Sequence, residues 1–275
     1  MTKSSLLHAG LILCTLTLTP IAVSESNADE YSDAVIAYAK GDYQTALKLY
    51  ESIAANKDPL SAAKAQYSIG RLYLHGQGVE KNLEEAFGWT LKAARNEYAL
   101  AQDTVGNMYA RGIGRPMDGE EAYKWFLKAA EQGYAKSQYK LGFMYADGLV
   151  VQQDLTAAYE WFKKSARQGF AEAMYSLAVA YDNGQGVKSD PAKAARWYQE
   201  AAHKNIADAQ YELSVLLRKG RGLEQNIVDA YSWAEIAGQN GADGSAELKE
   251  ELAKKMTSTQ ISDAESKALE WIASH

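Results

Sequence analysis

Apolar positions along this chain recur at two scales. Within the stretch Ala65 to Tyr73, residues Ala65, Ile69, Gly70 and Tyr73 fall on one face of a helix, and Ala122, Trp125, Ala129 and Ala130 form a second such stripe farther on. Between stretches the pattern returns every 36 residues, marked by Trp89, Trp125, Trp161, Trp197 and Trp233. A unit that short cannot bury its apolar face alone, so neighbours must stack and share one elongated core. The expected fold is therefore an all-α solenoid of stacked antiparallel helix pairs. Each indole is expected to fill the space between layers, so that truncating one to alanine costs roughly 3–5 kcal/mol.

Other columns keep the same phase. Tyr73, Tyr109, Tyr145 and Tyr181 form one that ends in Leu217, and Gly76, Gly112, Gly148, Gly184 and Gly220 form another, placed where a positive φ ends a helix. A second glycine column, Gly78, Gly114, Gly186 and Gly222, is broken only by Val150. Small residues at Gly70, Gly106, Gly142, Ala178 and Ser214 predict close approach of another helix to the first helix of each pair, called A. Asn82, Asp118, Asp154, Asp190 and Asn226 are N-cap types opening the second helix, B, with Pro191 just inside the fourth cap. Helix B is expected to end near Gly133, Gly169, Asn205 and Gly241.

The two ends differ from the repeats. Residues 25–60 carry a shorter helical hairpin, with Ala34, Ala37 and Tyr38 on one helix, a Gly41-Asp42-Tyr43 turn, and Ala46, Tyr50 and Ala54 on the next. Five 36-residue units fill 61–241, and 242–275 reads as two capping helices, to which the off-phase Trp271 belongs. Residues 1–24 read as a secretory signal peptide: Lys3 supplies the positive end, Leu6 to Ile21 is nearly uncharged, and Ala22-Val23-Ser24 offers small residues for cleavage. An uncleaved anchor is disfavoured by the length of the apolar run and by Thr15, Thr17, Thr19 and Pro20. A lipoprotein signal at Cys14 is disfavoured by the bulky Leu13 before it.

Export fixes the location and removes some chemistry. The expected location is the periplasm, with secretion as the alternative. Cleavage after Ser24 takes away the only cysteine, so the product has no disulfide or thiol chemistry. The loss of Lys3 moves the formal charge from −6 to −7, which argues against a nucleic-acid partner and against electrostatic attachment to anionic lipid. His8, His75, His203 and His275 are scattered, and neither a zincin, a paired-cysteine nor a Gly-x-Ser-x-Gly motif occurs. The glycines of Gly76-Gln77-Gly78 lack the third glycine and preceding strand of a nucleotide loop. No cofactor, metal or catalytic residue is expected, and no heptad seam specifies an oligomer.

The string Ala-x-x-x-Leu-Gly-x-x-Tyr-x-x-Gly-x-Gly-Val, an acidic cap, and Ala-x-x-Trp-Tyr/Phe-x-Lys-Ala-Ala-x-x-Gly resembles the Sel1-like repeat, a relative of the tetratricopeptide repeat. It is carried by Ala65 to Glu97, Ala101 to Gly133, Ser137 to Gly169, Ala173 to Asn205 and Ala209 to Gly241. The sequence departs from it at Leu149-Val150-Val151 and at Leu217. The resemblance implies a right-handed α/α superhelix that mediates protein–protein contacts, often in bacterial envelopes or in exported factors that meet host proteins. Some relatives have been linked to β-lactam binding or hydrolysis, but those are cysteine-rich. Fold alone does not choose among such roles.

In hairpin repeats of this kind helix A lines the concave side. The residues beside its packing stripe are Tyr67 and Arg71, Asp103 and Asn107, Tyr139 and Phe143, Tyr175 and Val179, and Tyr211 and Val215, each pair four apart and so on one face. A polar end thus passes into an aromatic and aliphatic stretch, which suits an extended peptide or a helix laid along the groove. Tyr139, Phe143, Tyr175 and Val179 are the expected anchors, with Arg71 and Asn107 orienting polar groups. Tyrosine in these positions fits packing between repeats equally well.

Overall fold

The computed structural model describes residues 25–56 and 58–274. Residues 1–24, read above as a signal peptide and including Lys3 and Cys14, lie outside the described residues, as do His8 and His275. Among those described, all regular structure is helical. Helices α1 (Glu25–Ala39) and α2 (Tyr43–Ala54) form the first hairpin. Five A/B pairs follow: α3 (Pro59–His75) with α4 (Leu83–Arg95), α5 (Ala99–Arg111) with α6 (Gly119–Glu131), α7 (Ala135–Asp147) with α8 (Leu155–Arg167), α9 (Ala171–Asn183) with α10 (Pro191–His203), and α11 (Ala207–Lys219) with α12 (Ile227–Gln239). Helices α13 (Ser245–Ala253) and α14 (Ser258–Ser274) close the array. Each helix packs on the one before it and the one after it up to α13, and α14 returns to pack on α12. The result is a right-handed α/α superhelical solenoid.

Each turn between A and B is built the same way from its sequence. Gly76, Gly112, Gly148, Gly184 and Gly220 end the A helices at φ values of 64 to 71°, a left-handed conformation that costs other residues about 1–2 kcal/mol. The cap residue then closes the turn. Its backbone N–H donates to the carbonyl of the tyrosine column, as in Asp118 to Tyr109 at 3.0 Å and Asn226 to Leu217 at 3.0 Å. Because only a carbonyl is needed, Leu217 serves as well as tyrosine there. The cap side chains accept from the first turn of helix B, for example Asp118 Oδ1 from Glu121 N at 3.0 Å, which satisfies an otherwise unpaired donor.

The small column of helix A meets a large one on helix B. A Cβ added at Gly106 would lie 2.6 Å from the Phe126 ring, and one at Gly142 would lie 2.4 Å from Phe162. This corrects the expected role of the tryptophans. Only Trp125 is buried, at 8% exposure, while Trp89, Trp161, Trp197 and Trp233 are half-buried. The core column stands one residue later, at Thr90, Phe126, Phe162, Tyr198 and Ala234. Helix B turns this next position toward helix A and leaves the indole at the margin of the layer. There a lysine three residues on covers the ring: Lys92 Nζ lies 3.8 Å from the Trp89 centroid, Lys128 4.3 Å from Trp125 and Lys164 3.9 Å from Trp161. The full truncation cost belongs to Phe126 and Phe162 rather than to the indoles. Trp233 packs instead against Trp271 of the closing helix, centroids 5.6 Å apart.

A buried amide ladder also ties successive units together. Gln102, Gln138 and Gln210 each donate from Nε2 to the carbonyl eight residues earlier, at Ala94, Ala130 and Ala202, at 3.0–3.2 Å. Each accepts from the side chain thirty residues later, Gln132, Gln168 or Asn240, at 2.7–2.9 Å. Carbonyls at the ends of α4, α6 and α10 thereby find a partner on the next A helix. In the fourth unit Met174 and Lys204 occupy the two positions, and the ladder is absent there.

Candidate binding face

The A-helix face is organised by a rule that spacing within one helix does not reveal: from Tyr31 to Tyr139, residues of the first column meet the residue 37 positions later, on the next A helix. Tyr31 Oη lies 3.5 Å from Ser68 Oγ, and Thr104 Oγ1 donates to Tyr67 Oη at 3.4 Å. Lys140 Nζ reaches Asp103 Oδ1 at 2.6 Å by the same step. Tyr139 with Ser176 continues the series, and one step on the charge of Glu212 acts on the Tyr175 hydroxyl. The face is therefore a wall of paired side chains.

Of the ten candidate residues, Asp103 departs most from expectation. It was placed on the outward side of helix A, yet it is 3% exposed. Ser137 Oγ donates to it at 2.8 Å, Asn107 Nδ2 at 2.9 Å and Lys140 Nζ at 2.6 Å, while Lys140 also donates to Asn107 Oδ1 at 2.8 Å. Asp103 and Asn107 thus belong to an inter-repeat network rather than to a free surface. The physical reason is substitution in pairs: where tyrosine is replaced by a short anion, its partner 37 residues on is a lysine long enough to reach it. Burial lowers the Lys140 ammonium below the ordinary lysine range, against the opposing pull of Asp103.

The tyrosines of the column are half-buried and packed. Tyr67 meets Tyr98 edge-on at 5.7 Å, and Tyr139 contacts Phe170 at 5.1 Å. Tyr175 contacts Tyr198 at 5.8 Å, and Tyr211 sits against the core at the C-terminal end. Burial, first among the causes, pushes the Tyr139 and Tyr175 hydroxyls above the ordinary phenol range. Glu172 adds to this at Tyr139, as do Asp208 and Glu212 at Tyr175. Among the second members, Arg71 is exposed and lies 5.9 Å over the Tyr38 ring. Phe143 is 41% exposed and rests against Tyr139 at 4.8 Å and Phe162 at 5.3 Å. Val179 and Val215 are half-buried. Tyr139, Tyr175 and Val179 pack on one core cluster and Phe143 rests on its Phe162, so the four border the same stretch of core as a partly open apolar strip. The structure sets Arg71 two repeat units before Phe143.

Sequence reasoning missed Lys140, Ser176 and Glu212, which stand one step along the wall. Burial raises the Glu212 carboxyl above the usual range, and Asp182 reinforces the effect. The joint replacement of tyrosine by Asp103 and of a small residue by Lys140 was the available signal. Two Ser-x-x-Lys strings, a spacing found in serine nucleophiles, occur at Ser61–Lys64 and Ser137–Lys140. Ser61 lies in the first turn of α3, capped by Asp58, and Ser137 is wholly buried with its hydroxyl committed to Asp103. Neither presents a nucleophile in a cleft. Among the described residues no cluster of three His, Cys, Asp or Glu is arranged for a metal, and no helix is long and apolar enough to cross a membrane. A cleft of about 380 Å³ is lined by Leu217, Leu223, Asp229 and Trp233. It falls where Leu217 interrupts the tyrosine column. One unit earlier, the hydroxyls of Tyr159 and Tyr181 meet at 2.9 Å.

Comparison with known proteins agrees with this construction. The Sel1 repeat matches six segments, residues 36–58, 63–98, 97–134, 135–170, 171–206 and 207–241. The first of these falls on the N-terminal hairpin. Among curated proteins none matches the chain. Among solved structures, a Sel1 repeat protein from Oxalobacter formigenes is 32% identical over 80% of this chain and 86% of its own, with a TM-score of 0.70. The protein c5321, a protective antigen of uropathogenic Escherichia coli with the same repeat fold, is 24% identical over 90% of this chain and 68% of its own, with a TM-score of 0.50. With its repeats matched across most of its length and its fold shared with a solved relative, this chain belongs to the Sel1-like repeat family.

Proposed function

We propose that the protein is a non-catalytic, exported scaffold that holds another protein or a peptide along its A-helix face, in the periplasm. The observation carrying this reading is the strip of Tyr139, Phe143, Tyr175 and Val179. Phe143 keeps 41% of its surface open among aromatic neighbours that hold its ring in place. An anchored, partly exposed aromatic cluster is the kind of surface that supplies a binding hot spot. The repeat fold supports a scaffold role in general, and the leader read from residues 1–24 supports export.

A photo-crosslinking residue placed at Phe143 should trap a partner in intact cells, whereas the same residue at the exposed Glu160 of α8 should not. Replacing Phe143 and Val179 with glutamate should abolish partner capture while leaving the helical circular dichroism unchanged. A folded variant that captures its partner at full strength rules the strip out. Fractionation tests the location: the product should be found in the periplasm, shortened by the leader, and recovery in the medium would favour secretion instead.

A further inference from the structure

Six unpaired charges on the A-helix face are sorted by sign along the solenoid. In the N-terminal half of the A helices, the column of Lys64, Leu100, Lys136, Glu172 and Asp208 changes from basic to acidic between the third and fourth units. Arg71, in the same column as Phe143 and Val179, adds positive charge at the basic end, and Glu212 adds negative charge at the other. Within the described residues none of these six charged groups is in an ion pair. Asp103 and Lys140, which lie between, cancel one another. The last-turn column, Arg111, Asp147 and Lys219, alternates in sign and carries no gradient. The apolar strip of Phe143 and Val179 straddles the point where the sign changes.

Nothing in the fold requires this order, since the same helix positions accept either charge at the rim. It also costs stability at the acidic end, where burial above all, with Asp182 and Asp208 adding to it and Lys219 and Arg221 opposing it, holds the half-buried Glu212 carboxyl above the usual range. A cation arriving from a partner would relieve that crowding. Five A helices spaced by roughly 10 Å span about 40 Å, the length of about 12 residues of extended chain.

Resting on the scaffold reading above, we infer that this face takes an extended peptide whose charge is segregated. Its acidic end lies over Lys64, Arg71 and Lys136, an aromatic or branched apolar residue sits against Phe143 and Val179, and its basic end lies over Glu172, Asp208 and Glu212. Complementary blocks of this kind set orientation and suppress wrong partners more than they raise affinity.

The test uses fluorescent 12-residue peptides of one composition, in which three acidic, three basic and central apolar residues are arranged either in blocks or in alternation. Binding is read by anisotropy. The block peptide should bind about tenfold more tightly than the alternating one at low salt, and the gap should narrow as salt is added. The variant Lys64→Glu, Arg71→Glu, Lys136→Glu should bring the two peptides within about twofold of each other. Equal binding, no binding of either peptide, or a preference that survives the reversal overturns the inference. Sedimentation supplies a further arm: a dimer that the reversal dissociates would mean that a second copy, not a peptide, occupies the face, and this too overturns it. The two proposals fail separately. If crosslinking through residue 143 persists while the peptides show no preference, the scaffold reading stands and charge selection falls; if the block peptide is preferred but Phe143→Glu with Val179→Glu leaves partner capture intact, the scaffold reading falls.

Discussion

The junction between the second and third units and the junction between the third and fourth join the same helices of the repeat but are filled by different chemistry. At the later junction Tyr139 meets Ser176, and Gly186 lies so close to the N-terminus of α8 that an added Cβ would stand 1.9 Å from the Leu155 carbonyl oxygen. At the earlier junction Asp103 meets Lys140 at 2.6 Å, and Val150 occupies the glycine position. Opposite Val150, the helix residue has become Gly119, and a Cβ there would lie 3.0 Å from Val150 Cγ2. In both contacts two residues have changed together. What the solenoid preserves is therefore the volume and polarity of a pair across the junction, not the identity of either member.

The sharpest way to break the comparison is to move one member alone. Gly186→Val combines a left-handed φ of 69° with a clash against fixed backbone, and should destabilise the protein by about 2–5 kcal/mol in urea unfolding. Leu155→Gly by itself should not rescue it, because the clash is with the carbonyl rather than the leucine side chain. Val150, by contrast, is not among the positive-φ residues, so the earlier turn runs along a different path. Transplanting residues 148–153 onto 184–189 together with Leu155→Gly should recover most of the loss. If Gly186→Val unfolds at the wild-type urea concentration, the pairwise account of the junction is wrong.

Next in size is the ion pair. Asp103→Ala leaves Lys140, whose side chain is only 20% exposed, without its anion, and strands the donors of Ser137 and Asn107. A loss of about 2–4 kcal/mol is expected. The double change Asp103→Tyr with Lys140→Ser rebuilds the pair found at the later junction and should come within about 1 kcal/mol of the parent, as measured by a double-mutant cycle. Additive losses would mean that the two positions do not act as a pair.

These cases show which parts of the molecule its sequence disclosed. Helix boundaries were legible because caps and left-handed glycines act locally: Asp118 and Gly112 do their work within a few residues of their own positions. The close approach at Gly106 and Gly142 was legible because only small side chains permit it. The tryptophan column misled because a periodic large residue marks the edge of a layer as well as its centre, and a one-residue shift to Phe126 and Phe162 separates the two. Asp103 misled for a related reason. Exposure was judged from one helix, whereas the residue that buries it, Lys140, is 37 positions away on another. The apolar strip was legible only in part, since Phe143 and Val179 could be placed on a face, but not the enclosure of Tyr139 by Phe143, Phe162 and Phe170.

A smaller effect extends the comparison to the turns that join one unit to the next. The position after the helix B cap is glycine in three units, at φ of 87 to 89°, but Glu97 and Asn205 take φ of 60 and 64° at the same place. Asparagine tolerates this region, while glutamate has no such allowance. Glu97→Gly should therefore stabilise the protein by up to about 1 kcal/mol, with Asn205→Gly nearer to neutral, as thermal unfolding will show. A larger gain at Asn205 than at Glu97 would mean that side-chain contacts, not backbone conformation, control these turns.

The smallest effect concerns Glu212, which stands at the next junction, one step from Tyr175 as Ser176 is from Tyr139. Burial raises its carboxyl above the usual range; Asp182 and Asp208 act in the same direction, and Lys219 and Arg221 oppose them. A group whose pKa is raised by folding binds its proton more tightly in the folded state. The stability this contributes is complete below the unfolded value of 4.5 and is lost as pH rises through the folded value. At neutral pH the ionised carboxylate is thus a net cost. Glu212→Gln keeps the shape of the protonated acid and removes that cost, so it should raise Tm modestly at pH 7 and leave it unchanged at pH 4. A gain of equal size at both pH values would point to packing rather than ionisation. A loss at pH 7 would show that Lys219 and Arg221 outweigh burial, making this junction an ion-paired one like that of Asp103 and Lys140.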